Sequence, residues 1–337
     1  MRDRASEILD IKRRSPSGHE PVSFRLEFLR GKWLKTRESD GAVPDFYLIH
    51  TVTLLEVSAR RQMTSLVDHA KQYTDRAVEL SKHFKMDFAT VRDVQGRATT
   101  LGDVVGHSVP VNSFGQIIGH FDTLLGKPFR PLLERAVDRW AVEIKGQPAE
   151  PIIHDYNVLA SRLSRLFEIR HILCHEIPTS PVYAANEITD FLDEAIRFTR
   201  AVEEVLTFEK YGLVPLTQAE MNTSARDRLA SQEEVLSRLL SVIRNAVQGV
   251  KVGSETFKST HQSWLHSLDD AQEKWLMYRN AHCDFVTYLN QGGTVRPLFW
   301  SSEANRLTEN RISELQSWVD KQSKGLANFS SKGANSE

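Results

Sequence analysis

The densest chemistry in the sequence lies in residues 163–177, LSRLFEIRHILCHEI, where Arg170, His171 and His175 fall within six consecutive positions. At about 100° per residue, His171 and His175 share one helical face about 40° apart, while Arg170 stands about 140° from His175 with a stem long enough to swing to the same end. An imidazole titrates near neutrality and can take or give a proton at working pH. A guanidinium is permanently charged and presents a fork of donors matched to phosphate oxygens. Together they suit phosphodiester cleavage without a metal: the imidazole deprotonates a ribose 2′-OH or protonates the leaving 5′ oxygen, and the guanidinium stabilises the charge on the equatorial phosphoryl oxygens. The same residues admit plainer readings. Arg and His at a helix C-terminus are favoured by the macrodipole alone. Two histidines at i, i+4 are also zinc ligands by spacing, but no acidic base sits between them as in HExxH and no third ligand is evident.

These side chains need elements to hold them. Leu163, Leu166, Phe167, Ile169, Ile172 and Leu173 supply a buried stripe for a helix over 152–176. Upstream, Leu48, Val52, Leu55, Met63, Leu66, Val67, Tyr73, Ala77 and Leu80 recur at helical spacing with no Gly or Pro, which predicts one long helix from Tyr47 to about Phe84. Residues 85–111, with three glycines and a proline, read as an irregular excursion. Further helices are expected at 112–125, 129–144, 182–210, 217–248, 254–290 and 303–323, and no alternating strand pattern exceeds five residues. The fold class is all-α. Tyr211-Gly212-Leu-Val-Pro215, followed by the capping-box pair Thr217 and Glu220, is the natural domain boundary. After about Lys324 the composition turns to Ser, Gly, Asn and Lys, as in a flexible tail over 324–337.

Two other charged features bear on the site. Glu56 lies on the otherwise apolar first long helix; it either orients Arg170 or a histidine, or pairs at the surface with Arg60 one turn on. Arg60 and Arg61 are either phosphate contacts or a wet helix edge. Up to residue 37 there are ten basic and five acidic residues, so segment 1–45 reads as a basic N-terminal arm, solvated or in contact with phosphates.

The stretch LFEIRHILCHE resembles the R-x4-H signature of HEPN domains, from Arg170 through His175, with His171 as the polar follower of the arginine. YLIHTVTLLEVSARRQM, including Glu56, resembles the first long HEPN helix, and the order of the two elements matches. The resemblance covers about residues 46–211. It implies a four- to five-helix bundle that forms a homodimer with two RxxxxH sites meeting across the interface. Many members are metal-independent endoribonucleases in toxin–antitoxin and anti-phage defence systems, with RNA as substrate and an antitoxin or trigger protein as partner; others are non-catalytic adaptors that bind nucleotides or proteins.

Residues 217–323 resemble a second family, the LprI-type domain named after a lysozyme inhibitor. Trp275, Tyr278, Arg279, Ala281, Cys283, Gly292, Gly293, Leu307, Thr308, Arg311 and Leu315 stand where that pattern expects them. Members usually carry cysteines near Ser224 and Glu303, where this chain has none, so Cys283 is expected to be unpaired. That departure points to a recognition or sensor module, with lysozyme binding as the alternative.

Composition bounds these readings. With 337 residues, about two domains are expected. Lys+Arg 43 against Asp+Glu 44 excludes a uniformly basic nucleic-acid coat while permitting a local basic site. Two cysteines exclude a disulfide framework. The first residues carry charges where a signal peptide needs an apolar run, and no stretch approaches about 18 uncharged apolar residues. A cytoplasmic protein without a membrane span, cofactor or metal is the expectation.

Overall fold

A computed structural model describes residues 4–14, 21–38, 43–80, 82, 91–92, 96, 99–176, 178–248 and 258–332. The architecture is all-α: no strand occurs among the described residues, only one isolated bridge between Val137 and Pro151. The chain divides into two compact units after Val214.

The first unit contains α1 (Arg4–Arg14), α2 (Val22–Thr36), α3 (Pro44–His69), α4 (Lys71–Leu80), α5 (Leu101–Ser108), α6 (Phe114–Leu125), α7 (Arg130–Leu133), α8 (Tyr156–His175) and α9 (Glu187–Tyr211). Its centre is α3, which buries Leu48, Val52, Leu54, Leu55, Met63, Leu66 and Val67, too wide an arc for one apolar stripe. Helices α2, α4, α5, α8 and α9 all pack against it.

The expected single helix over 47–84 is two. Ala70 is extended (φ −153°, ψ 149°), and the break is pinned from both sides. The Thr74 hydroxyl donates to the Val67 carbonyl at 2.7 Å, and the Tyr73 hydroxyl donates to the Glu209 carbonyl at 3.0 Å. The far end of the expected helix lies outside the described residues. The excursion at 85–111 holds a helix, α5, started by a Thr100–Asp103 capping box. Gly102 and Gly106 let it lie directly on α3: a Cβ on Gly106 would stand 2.9 Å from the Arg60 carbonyl oxygen, and one on Gly102 would collide with the Thr64 carbonyl. The expected helix at 129–144 is also interrupted. After α7 the Asp138 carboxylate caps the Ala141 amide, a π-helical turn follows at Trp140–Ile144, and the Ile152 amide bonds back to the Ala136 carbonyl.

Segment 1–45, read as an arm, is largely helix packed on the unit. Leu26, Leu29 and Trp33 of α2 enter the core with Val22, because these four recur at helical spacing on one face. Several of its charges are spent in ion pairs: Lys12 with Asp103, Arg30 with Asp193, Glu27 with Arg200.

The second unit contains α10 (Gln218–Gln248), α11 (Lys258–Val286) and α12 (Arg296–Lys332). Leu229 packs with Cys283, Ala304 and Leu307, whereas Leu236, Leu240 and Ile243 pack with Leu265, Leu268, Ile312 and Leu315. Increasing number along α10 meets decreasing number along α11 and increasing number along α12, so the middle helix runs antiparallel to the other two. The part of the expected tail up to Lys332 continues α12 as helix. No helix of the described residues is long and apolar enough to cross a membrane.

Candidate functional site

Helix α8 carries the Arg-His-His sequence and is fixed at both ends. Its N-terminus is capped by Asp155, whose carboxylate accepts from the Asn157 and Val158 amides at 2.8 and 3.1 Å. Leu159, Leu163, Leu166, Phe167 and Ile169 bury its apolar face, while the expected Ile172 and Leu173 are only half-buried. Two arginines tie it to α9: Arg162 donates to Glu194 and Asp190 at 2.8 and 2.9 Å, and Arg165 donates to Glu187 at 2.9 Å. The helix ends immediately after His175, where Glu176 turns extended (φ −128°, ψ 164°).

Arg170 turns the other way, towards α3, and meets Glu56. Its Nη2 lies 3.9 Å from Glu56 Oε1, an ion pair beyond hydrogen-bond reach. Unlike Arg165, whose Nε donates to Glu187, Arg170 leaves its buried Nε with no hydrogen-bond partner. A buried donor without an acceptor costs about 1–3 kcal/mol. Burial pushes the Glu56 carboxyl above the ordinary carboxylate range, opposed first by the Arg170 charge and then by that of Arg60.

Glu56 therefore faces Arg170, and Arg60 acts on it through its charge alone. Arg60 itself is occupied. Its Nη1 donates to the carbonyls of Gly106, His107 and Val109 at 2.8, 3.2 and 3.2 Å, capping the C-terminal end of α5. Burial pushes its pKa down, partly offset by Glu56. Arg61 is half-buried. A phosphate-contacting role for Arg60 gives way to this structural one.

His171 and His175 are exposed, and their rings stand 4.8 Å apart, centroid to centroid, tilted by 46°. The i, i+4 spacing thus places both imidazoles side by side at the open end of α8. Among the described residues no group of three or more His, Cys, Asp or Glu side chains converges as a metal site. Chemically, the exposed end of α8 offers two proton-transfer groups, while Arg170 of the same helix faces Glu56 of α3.

Sequence reasoning passed over a second surface of this unit. Phe24 and Phe28 on α2, spaced i, i+4, and Phe46 and His50 on α3, also i, i+4, line an open groove of about 570 Å³ together with Arg25 and Lys32. The signal was present as two aromatic i, i+4 pairs, but it lay in a segment read as an arm.

The interior of the second unit holds polar side chains beside its apolar clusters. Arg279 is 5% exposed and donates to Glu233 at 2.7 Å, Thr308 at 3.2 Å and Asn280 at 3.2 Å, with its guanidinium 5.5 Å from the Trp275 ring centre. Arg311 approaches the same ring at 6.0 Å. Glu303, at a position where cysteine was the alternative, accepts from Arg306 and from the ring nitrogen of His282. Cys283 is a buried free thiol whose pKa is pushed up to about 11, chiefly by burial and then by the Glu303 charge. Tyr278 points outward and is exposed.

No solved structure matches the chain. A protein of Rhizobium meliloti (strain 1021), described only as uncharacterized, is 22% identical over 105 residues, which is 31% of this chain and 76% of that one. Residues 215–315, all of α10 and α11 and the first half of α12, match the family model described as lysozyme inhibitor LprI.

Proposed function

We propose that the first unit is a metal-independent endoribonuclease of HEPN type. The observation that carries this reading is the pair of exposed imidazoles standing side by side in the last turn of α8, on the helix that also holds Arg170 against Glu56. Arg170 clamps the scissile phosphate, and Glu56 keeps its guanidinium aimed. His175, neutral, takes the proton from the ribose 2′-OH as O2′ bonds to phosphorus; the P–O5′ bond breaks and the leaving oxygen takes a proton from a protonated imidazole, for which His171 stands beside it. The products are a 2′,3′-cyclic phosphate and a 5′-hydroxyl. The HEPN resemblance extends the reading to a cytoplasmic homodimer acting in bacterial defence or growth control, with an antitoxin or trigger protein as partner.

The second unit is the regulatory module of this enzyme. Its match to the LprI model favours one further reading, a surface that binds a lysozyme-like protein; a pull-down in which lysozyme is not retained removes it.

The test is cleavage of single-stranded RNA by the purified full chain in EDTA. Wild type is expected to cleave, and Arg170→Ala and His175→Ala to lose about 100-fold or more. Equal activity in all three, or activity that appears only with a divalent metal, overturns the mechanism. If no RNA is cleaved at any concentration but a nucleotide raises the melting temperature, the domain is a binding adaptor instead.

A further inference from the structure

The groove between α2 and α3 combines features that a protein core does not use and a nucleic acid does. Phe24, Phe28 and Phe46 are 59%, 68% and 54% exposed, so three large aromatic faces are left to solvent within one surface. Phe46 and His50 are stacked nearly parallel, 11° between planes and 5.4 Å between centres, which is the disposition of a flat platform. Lys32 Nζ lies 5.3 Å from the Phe28 ring centre, placing a cation at the aromatic face.

Among the described residues that line the groove, Arg25 and Lys32 carry positive charge and none is a carboxylate. The acids nearest in sequence are engaged elsewhere, Glu27 by Arg200 and Asp45 by the Tyr183 hydroxyl. Aromatic faces flanked by cations are how proteins hold single strands: any base offers a π-face to stack, and lysine and arginine meet the phosphates between bases.

We propose that this groove is a stacking platform for single-stranded RNA, with Phe24, Phe28 and Phe46 taking base faces and Arg25 and Lys32 meeting the adjoining phosphates. The identity of the strand as RNA rests on the ribonuclease reading above. His50 and Glu56 belong to the same helix, about 9 Å apart along its axis, so the platform and the carboxylate behind Arg170 are referenced to one rigid element.

The experiment uses the full chain and a 5′-labelled, mixed-sequence 12-nucleotide RNA. Binding is read by fluorescence anisotropy in a His175→Ala background, so that the probe survives. The Phe24→Ala/Phe28→Ala double variant is expected to bind about 5- to 100-fold more weakly at an unchanged melting temperature. Lys32→Glu is expected to weaken binding and to flatten its dependence on salt. With His175 restored, the double variant raises KM far more than it lowers kcat.

Unchanged affinity in both variants overturns the proposal, whether or not the protein cleaves RNA. Groove-dependent binding in a protein that never cleaves leaves the platform standing and sinks the ribonuclease reading instead. If the double variant abolishes self-association or adhesion to anionic vesicles while RNA affinity holds, the face belongs to a second copy or to a lipid surface, and the proposal falls.

Discussion

Glu56 sits within reach of two guanidiniums, yet burial outweighs both and raises its pKa. A carboxyl whose folded pKa is raised contributes stability at low pH that is lost as pH climbs from the unfolded value through the folded one, because in that window the native state holds the extra proton. Glu56→Gln is therefore expected to match wild type in melting temperature at about pH 4 and to exceed it at pH 8, while cleavage falls roughly tenfold as Arg170 loses its orienting partner. Thermal melts at both pH values check the first half; a variant less stable at pH 8 contradicts it. The thiols form a second contrast at this scale. Cys174 is exposed and Cys283 is buried with a raised pKa, so a thiol reagent should modify one cysteine per native chain and the second only after unfolding. The Glu56–Arg170 approach was legible as one of two options, since both residues lie on predicted helices. Choosing between Arg170 and Arg60 was not, because Arg60's engagement depends on where the C-terminal end of α5 falls.

Among the elements, α5 shows how a small sequence detail governs position. Gly102 and Gly106, one turn apart, bring it against α3 closely enough for Arg60 to cap its last carbonyls and for Thr64 to donate to the Gly102 carbonyl at 3.1 Å. Gly102→Ala places a methyl against the Thr64 backbone, which cannot yield as a side-chain tip can. A loss of about 1–3 kcal/mol in denaturant unfolding is expected; an unchanged midpoint would mean the two helices part freely. The same glycines made residues 85–111 look irregular in sequence, since glycine is read first as a breaker and only second as a close-packing residue. The break at Ala70 was hidden for the converse reason. Nothing at residues 69–71 disfavours a helix locally, and the interruption is held by hydrogen bonds to the end of α9, more than 130 residues away.

At the scale of the whole molecule, the division after Val214 separates the single hydrophobic cluster of the first unit from the two of the second. Residues 1–214 expressed alone are accordingly expected to melt cooperatively with their helix content intact; a molten or insoluble fragment would show that the second unit is required for its fold. The second unit depends on a different kind of interior. Removing Arg279 strips Thr308 and Trp275 of their central partner, and Arg279→Ala should cost on the order of 3 kcal/mol. Near-neutral overall charge conceals an uneven layout, in which many charges pair across helices while the lining of the α2–α3 groove stays basic.

The sequence by itself determined the all-α class, the helix that carries Arg170, His171 and His175, the punctuation at residues 211–217 and the three helices that follow. Those follow from local physics: apolar period, caps, and proline or glycine stops act within a few residues of one another. Tertiary structure alone decided that α2 belongs to the core, that Arg60 caps α5, that Arg170 approaches Glu56, and that the three phenylalanines of the α2–α3 groove remain outside. Each of these depends on which distant backbone or side chain arrives alongside, and the period of a single helix carries no information about what packs against it.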